Sequence, residues 1–225
     1  MKTAVLGTGT VGRTIATRLA ELGHTVTMGT RSTEATLART EADAMGTAPF
    51  ATWAAANPGI TLAGFADAAV GAELIVNATN GGASLDVLAQ AGEENLDGKV
   101  ILDIANPLDF RHGMPPTLFV KDTDSLGEQI QRSFPSARVV KSLNTLNADL
   151  MAHPETLPEA STVFISGNDA DAKHTVTQLL KDFGHQDVID LGDISTARGT
   201  EMLLPVWLRL WGALGTPAFN FKIVR

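Results

Sequence analysis

The chain has no cysteine and no tyrosine among its 225 residues. Without cysteine there is no disulfide, no thiolate nucleophile and no cysteine-ligated metal, as is typical of proteins of a reducing cytosol. Without tyrosine the chain cannot be a reductase that protonates a carbonyl with a Tyr-Lys pair. Positive charge is also scarce, since 17 Lys and Arg stand against 25 Asp and Glu and the net charge is −8. Nucleic acid and anionic membrane surfaces are therefore not expected as partners.

A long hydrophobic run is lacking as well. The longest, from Met202 to Leu214, covers about 13 residues, short of the ~20 that a transmembrane helix needs, and it contains Pro205 and Arg209. We interpret it as a buried or interfacial helix. The first strand begins directly after Met1, so we expect no signal peptide and a cytoplasmic location.

The segments that are present alternate between strand and helix patterns, which predicts an α/β fold with a doubly wound, mainly parallel sheet. The predicted strands are Thr3–Leu6, Thr25–Met28, Thr61–Gly64, Leu74–Ala78, Val100–Ile104, Arg138–Ser142, Val163–Ser166 and Val188–Asp190. The predicted helices are Val11–Leu22, Thr33–Met45, Ala66–Val70, Leu85–Ala91, Asp124–Phe134, Ala170–Phe183 and Ile194–Leu214, the last with Pro205 as a break point.

Two domains are expected, with a boundary near residue 147. Residues 1–147 complete a nucleotide-binding sheet, and residues 148–225 form a smaller C-terminal α/β region with two more strands and the apolar helix. Ligands of such folds bind outside the carboxyl ends of the strands. The residues that follow each strand are therefore the candidates for the site.

A glycine-rich turn joins the first strand to the first helix. The first of its glycines permits a tight turn, the second lets the backbone approach a pyrophosphate, and the third lets the helix pack close to the strand. The free amides at the start of the helix then face the anion. The pattern predicts a Rossmann-like dinucleotide site, with pyrophosphate contacts at Gly7, Thr8, Gly9, Thr10, Val11 and Gly12.

The end of the second strand indicates which dinucleotide binds. NAD-binding folds usually place Asp or Glu there, whereas this chain has Thr30, Arg31 and Ser32. A guanidinium flanked by two hydroxyls suits a 2′-phosphate, which a carboxylate would repel. We therefore predict NADP(H) rather than NAD(H). The alternative is that Arg31 is a solvated loop residue and that Thr30 and Ser32 cap the next helix.

The fourth and fifth strands end in small and amide-bearing residues. We predict that they pass the ribose and the nicotinamide, with contacts at Ala78, Thr79, Asn80, Gly81 and Asn106. A simple Asn-Gly turn is the alternative at Asn80, and a turn held by Pro107 is the alternative at Asn106.

The sixth strand ends in a segment that we expect to face the same cleft. Lys141, Asn144 and Thr145 are the candidates there for contact with a second substrate. Pro107 and Trp207 complete the candidate substrate contacts. The alternatives are a solvated strand-end charge at Lys141 and ordinary core packing, or a dimer contact, at Trp207 and Trp211.

Histidines offer no metal site. The sequence places them at His24, His112, His153, His174 and His185, and none has the spacing of a zinc ligand pair. We expect no bound metal, and no side chain is assigned as a catalytic acid, base or nucleophile.

Taken together, these segments resemble the NADPH-dependent coenzyme F420 reductases, also called F420H2:NADP oxidoreductases. The resemblance lies in Gly7–Gly12, Gly29–Ser32, Asn77–Gly81, Asp103–Pro107, Val140–Thr145 and the tail from Leu204 to Phe221. It covers most of the chain. It implies NADP(H) as cofactor, coenzyme F420 as a co-substrate in the cleft, and a homodimer. The C-terminal domain would close the acceptor cleft and contribute to dimerisation.

The expected function is hydride transfer between NADPH and a small-molecule acceptor of deazaflavin or flavin type. Such a transfer needs two ring systems in contact and water excluded, and no obligatory general acid. Two alternatives stay open. One is an NADPH-dependent reductase of free flavin, a quinone or a ferric chelate, and the other is a non-catalytic NADP(H)-sensing module.

Overall fold

The computed structural model describes residues 1–42 and 46–225. Within these residues, eight strands form one sheet and two short strands form a separate ribbon. The strands are β1 Lys2–Leu6, β2 Thr25–Thr30, β3 Thr61–Gly64, β4 Leu74–Asn77, β5 Val100–Asp103, β6 Leu108–Asp109, β7 Thr117–Leu118, β8 Arg138–Ser142, β9 Thr162–Gly167 and β10 Asp187–Asp190. The helices are α1 Thr10–Glu21, α2 Thr33–Leu37, α3 Phe50–Ala56, α4 Phe65–Ala69, α5 Ser84–Ala91, α6 Glu93–Leu96, α7 Leu126–Ser133, α8 Ala148–Ala152, α9 Ala170–Phe183, α10 Ala197–Met202 and α11 Leu204–Leu214.

The sheet has the order β10-β9-β8-β5-β4-β1-β2-β3. Within this order, each strand from β8 through β5, β4, β1 and β2 to β3 runs parallel to its neighbour. The chain order reverses between β1 and β4, and in doubly wound sheets this is where the ligand crevice lies. The predicted doubly wound, mainly parallel sheet is thus confirmed. β9 departs from it, because it pairs antiparallel with β8, while β10 runs parallel to β9.

Successive side chains of each buried strand pack on opposite faces of the sheet. Val5 joins the hydrophobic cluster beneath α1, α8 and α9, whereas Ala4 and Leu6 join the cluster beneath α4, α5 and α7. Helices therefore cover both faces, which explains why the strands are continuous apolar runs rather than alternating ones.

Local end signals set the longest helices as the sequence predicts. α1 is followed by Gly23, which has φ +82° and donates its N–H to the Ala20 carbonyl over 2.9 Å. α9 begins where the Asp169 carboxylate accepts the Ala172 N–H over 2.7 Å, and it ends at the left-handed Gly184. Both ends follow from capping chemistry that is readable in the sequence.

Two predicted helices differ from the structure. The helix predicted over Thr33–Met45 ends at Leu37, and residues 43–45 lie outside the described residues. Residues 37–42 are all exposed, so this stretch lacks the packed face from which most helical stability comes. The helix predicted over Asp124–Phe134 begins two residues later, because the Ser125 hydroxyl accepts the Glu128 N–H over 3.1 Å and caps it.

The C-terminal helix is broken, as the sequence predicts. The chain passes from a 3-10 turn at Ile194–Thr196 into α10, and α11 starts after Leu203. Pro205 lies in the first turn of α11, where its missing N–H costs no hydrogen bond. The sequence patterns do not predict the short elements α3, α6, α8, β6 and β7.

The boundary at residue 147 stays a prediction. β9 and β10 extend the same sheet as the strands before that residue. Among residues 1–42 and 46–225, no helix combines the length and the apolar character that a bilayer crossing requires.

Candidate active site

The glycine turn has the geometry that pyrophosphate binding requires. Gly7 has φ +117°, a conformation that L side chains rarely adopt. A Cβ on Gly12 would collide with the Gly7 carbonyl oxygen, so only glycine lets α1 sit this close to β1. Among residues 1–42 and 46–225, a Cβ on Gly9 would meet no atom within 4 Å, and no side chain caps the first amides of α1. The turn therefore leaves room and free donors for an anion.

Replacing Gly12 with Ala is expected to lower the free energy of unfolding by about 1–3 kcal/mol, the usual range for an overpacked site. The added methyl overlaps the Gly7 carbonyl and pushes the turn open, so the affinities for NADPH and NADH should fall together. Urea unfolding and titration calorimetry measure the two effects.

Gly9→Ala is the matched control. Its Cβ enters open space, so the fold should keep nearly all of its stability, while the methyl would stand where we predict that the pyrophosphate binds. Wild-type stability in Gly12→Ala, or full NADPH affinity in Gly9→Ala, would contradict this account of the turn.

A cavity of about 450 Å³ opens at the carboxyl ends of the strands, beside the glycine turn. Eight of the residues predicted from the sequence line it, namely Val11, Ala78, Thr79, Asn80, Gly81, Asn106, Asn144 and Trp207. They come from the start of α1, the ends of β4, β5 and β8, and α11. We call this space the first cavity.

Hydrogen bonds hold the polar groups of the first cavity in place. The Thr79 hydroxyl donates to Asn77 Oδ1 over 2.7 Å. Asn106 and Asn144 bond reciprocally, with Asn144 Nδ2 donating to Asn106 Oδ1 over 3.0 Å and Asn106 Nδ2 donating to the Asn144 carbonyl over 2.8 Å. Asn144 Nδ2 also donates to the Thr200 carbonyl in α10. These amides are fixed before any ligand binds.

The rest of the first cavity is apolar and aromatic. In the part of the chain that the structure describes, all the side chains that line it are uncharged. Trp207 stacks on Phe219 with 5.3 Å between ring centroids and lies 5.6 Å from Trp211. Such walls suit a flat ring held by stacking and dispersion, with amides to orient it.

The end of β2 presents one exposed cation. Arg31 is exposed and has no ion-pair partner within residues 1–42 and 46–225. The Ser32 hydroxyl accepts the Ala35 N–H over 3.1 Å, so Ser32 does cap α2, yet its proton remains available to donate. Thr30 is buried, and its hydroxyl lies 2.7 Å from that of Thr36. The expectation that Thr30 faces a 2′-phosphate is therefore corrected.

A second cavity of about 440 Å³ also borders the turn, and it is lined by Thr8, Gly9, Arg13 and Arg39 among others. Arg13 donates from Nε to the Thr8 carbonyl over 2.8 Å, and its guanidinium lies 5.3 Å from the centre of the Phe50 ring. The Thr10 hydroxyl lies 2.7 Å from that of Thr47. Residues of the glycine turn thus line two ligand-sized spaces.

Lys141 does not reach the first cavity. Its side chain is fully buried, with Nζ 2.8 Å from Asp103 Oδ2 and 2.9 Å from Glu201 Oε1, and it donates to the Ala105 carbonyl. Burial alone would lower the pKa of Lys141, but the carboxylates of Asp103 and Glu201 raise that pKa above its ordinary value. Lys141 is therefore a buried ion, neither a substrate contact nor a solvated strand end.

Two other predicted substrate contacts also lie outside the lining of the first cavity. Thr145 is buried, and the Pro107 carbonyl accepts the Phe119 N–H next to the β6–β7 ribbon. Glu201 is the residue that sequence analysis missed. No local pattern marks it, because its partners lie 60 and more residues away in the chain.

The chain is similar to known proteins in both sequence and structure. The family model described as NADP oxidoreductase, coenzyme F420-dependent, matches residues 2–107. The crystal structure of a candidate F420-dependent NADP reductase from Arthrobacter sp. FB24 is 65% identical, with a TM-score of 0.95 and full coverage of both chains. The chain belongs to the F420-dependent NADP oxidoreductase family. The predictions of the family, of an NADP-dependent oxidoreductase and of NADP(H) as cofactor are thereby confirmed.

This chain spans only part of the length of the curated relatives that it matches. Rat metalloreductase STEAP3 is 26% identical over 211 residues, which are 92% of this chain and 38% of the relative. The F420-dependent NADP reductase of Methanocaldococcus jannaschii is 27% identical over 128 residues, which are 56% of each. An Aspergillus terreus reductive aminase, 20% identical with a TM-score of 0.61 over 95% of this chain and 62% of its own, shares the fold.

Proposed function

We propose that this member of the F420-dependent NADP oxidoreductase family passes a hydride between NADPH and a flat ring acceptor of deazaflavin or flavin type. One observation carries the proposal. The uncharged, aromatic first cavity and the glycine turn share a wall, since Val11 belongs to the turn and also lines the cavity. A dinucleotide laid across the turn would place its nicotinamide half where the acceptor ring fits.

Different residues would bind different parts of NADPH. The backbone of Gly7–Gly12 would hold the pyrophosphate, Arg31 and Ser32 the 2′-phosphate, and Thr79, Asn80 and Asn106 the nicotinamide half. NADPH supplies the hydride. The chain contributes orientation and the exclusion of water, for which fixed amides and apolar walls are sufficient.

The names of the relatives supply two acceptor candidates. Two of these proteins are described as F420-dependent NADP reductases, which supports a deazaflavin as co-substrate. The third is described as a metalloreductase, which favours a ferric chelate as the second candidate. The first cavity supports the former, because a ferric chelate such as citrate is anionic and the described residues that line the cavity include no cation to meet it.

NADPH oxidation at 340 nm under anaerobic conditions tests the proposal with four acceptors: coenzyme F420, riboflavin, a naphthoquinone and ferric citrate. We expect turnover with the ring compounds and none with ferric citrate. Gly9→Ala protein, which should not bind NADPH, provides the blank. Turnover with ferric citrate alone would support the second candidate. Tight NADPH binding without any turnover would support a sensing module instead.

We also propose a cytoplasmic homodimer. Exposed apolar side chains on α10 and α11 support the dimer, since Met202, Val206 and Leu214 are 37%, 50% and 56% exposed. Exposed apolar surface of this kind is often covered in an assembly. The absence of cysteine supports the compartment. Analytical ultracentrifugation tests the dimer.

A further inference from the structure

The buried Lys141 is hydrogen-bonded to Ala105, which with Asn106 forms the part of the cavity lining that we call the floor. Lys141 Nζ donates to Asp103 Oδ2 over 2.8 Å and to the Ala105 carbonyl. Asp103 Oδ1 in turn accepts the N–H of Ala105 over 3.2 Å and Asn77 Nδ2 over 2.8 Å. Ala105 and Asn106 both line the cavity. The floor therefore rests on the ion pair of Lys141 with Asp103.

The same ammonium is paired with α10, the helix that leads into α11. We call the side chains of α11 that line the first cavity its roof. Lys141 Nζ lies 2.9 Å from Glu201 Oε1, and Glu201 is part of α10. One residue after α10 the chain enters α11, which contributes Leu204, Trp207, Leu208 and Trp211 to the lining. Glu201 also accepts the N–H groups of Leu126 over 2.8 Å and Gly127 over 3.0 Å at the start of α7.

Lysine has three N–H donors, and Asp103, Glu201 and the Ala105 carbonyl take all three. A buried ion pair is seldom more stabilising than apolar residues of the same volume. The ion pair instead fixes the relative position of its partners, because its hydrogen bonds break if the floor and the roof move apart. A hydrophobic contact would tolerate sliding between α10 and the strand ends.

We propose that Lys141 and Glu201 are positioning residues, which fix the α11 roof over the Ala105–Asn106 floor of the first cavity without touching either substrate. The proposal rests on the proposed function, in which that cavity receives the acceptor ring. A roof that is free to shift would leave NADPH bound at the glycine turn and misplace the acceptor.

Glu201→Gln tests this directly. The carboxylate accepts from three groups, Leu126 N–H, Gly127 N–H and Lys141 Nζ, whereas an amide offers one oxygen and turns an NH2 towards donors. We expect kcat/KM for the acceptor to fall about tenfold or more, because misplacement by about 1 Å can cost up to ~100-fold. The dissociation constant for NADPH should not change. Hydrogen exchange in residues 204–214 should quicken.

Glu128→Gln is the matched control. Glu128 also joins α7 to α10, through Arg198 Nε at 2.8 Å, but it has no contact with Lys141 or the cavity floor among the described residues. We expect Glu128→Gln to change stability without changing acceptor kinetics or exchange in α11. Glu201→Asp, which keeps the charge and shortens the arm, provides an intermediate variant if Glu201→Gln does not fold.

Equal effects of the Glu201 and Glu128 variants on acceptor kinetics would overturn the proposal, as would unchanged exchange in α11. A wild-type protein that reduces no acceptor would instead refute the proposed function. In that case the exchange measurement alone decides whether the pair holds the roof.

Discussion

Lys141→Met is expected to lower the free energy of unfolding by about 3–5 kcal/mol, the usual cost of removing one partner of a buried ion pair. Lys141 and Asp103 have no exposed side-chain surface, and Glu201 has 2%. Methionine matches the length of the lysine stem but leaves both carboxylates without their cation in a low dielectric. Urea unfolding at pH 7, followed by circular dichroism, measures the loss.

Lys222→Met is the control for this experiment. Lys222 pairs with Glu159 over 2.6 Å, but the two side chains are 48% and 72% exposed. Water screens such a pair, so its removal should leave stability nearly unchanged. If Lys141→Met were as mild as Lys222→Met, water would have to reach Lys141, and the buried cluster of Lys141, Asp103 and Glu201 would be refuted.

Arg31→Ala is expected to weaken NADPH binding by about 1.5–3 kcal/mol, the range of hydrogen bonds to charged groups, and to leave NADH binding almost unchanged. Arg31 is the exposed cation at the end of β2, and a dianionic 2′-phosphate is what distinguishes the two dinucleotides. Titration calorimetry with both cofactors measures the difference.

Two companion variants separate Arg31 from its surroundings. Ser32→Ala should weaken NADPH binding less than Arg31→Ala does, because it removes a neutral donor rather than a charge. It also removes the cap of α2. Arg39→Ala tests a second exposed cation, which lines the second cavity together with Arg13. The salt dependence of NADPH binding should become shallower only in the variant that loses the phosphate contact. Equal losses for NADPH and NADH in Arg31→Ala would mean that Arg31 does not recognise the 2′-phosphate.

Local spacing explains which features the sequence predicts well. The glycines of the Gly7–Gly12 turn lie within six residues of one another, and a Cβ at Gly12 would overlap the Gly7 carbonyl. The ends of α1 and α9 follow from Gly23, Asp169 and Gly184 in the same local way. Strand ends that carry Asn80, Asn106 and Asn144 meet because parallel strands share one carboxyl edge.

Features that depend on packing were predicted poorly. The helix expected up to Met45 ends at Leu37 because exposed residues 37–42 bury no apolar face, which propensity does not reveal. Thr30 looked like a phosphate ligand, yet its hydroxyl turns inward to Thr36. Which way a strand-end side chain points depends on the helix that covers it.

The sequence by itself determined the doubly wound fold, the dinucleotide turn and the absence of an acid at the end of β2, because each of these is encoded by neighbours along the chain. Only the tertiary structure decided that Lys141 is a buried ion held by Asp103 and Glu201, which lie 38 and 60 residues away. The physical reason is burial. A charge becomes a strong, directional structural contact only where the fold removes water from it, and no sequence pattern around Lys141 records that removal.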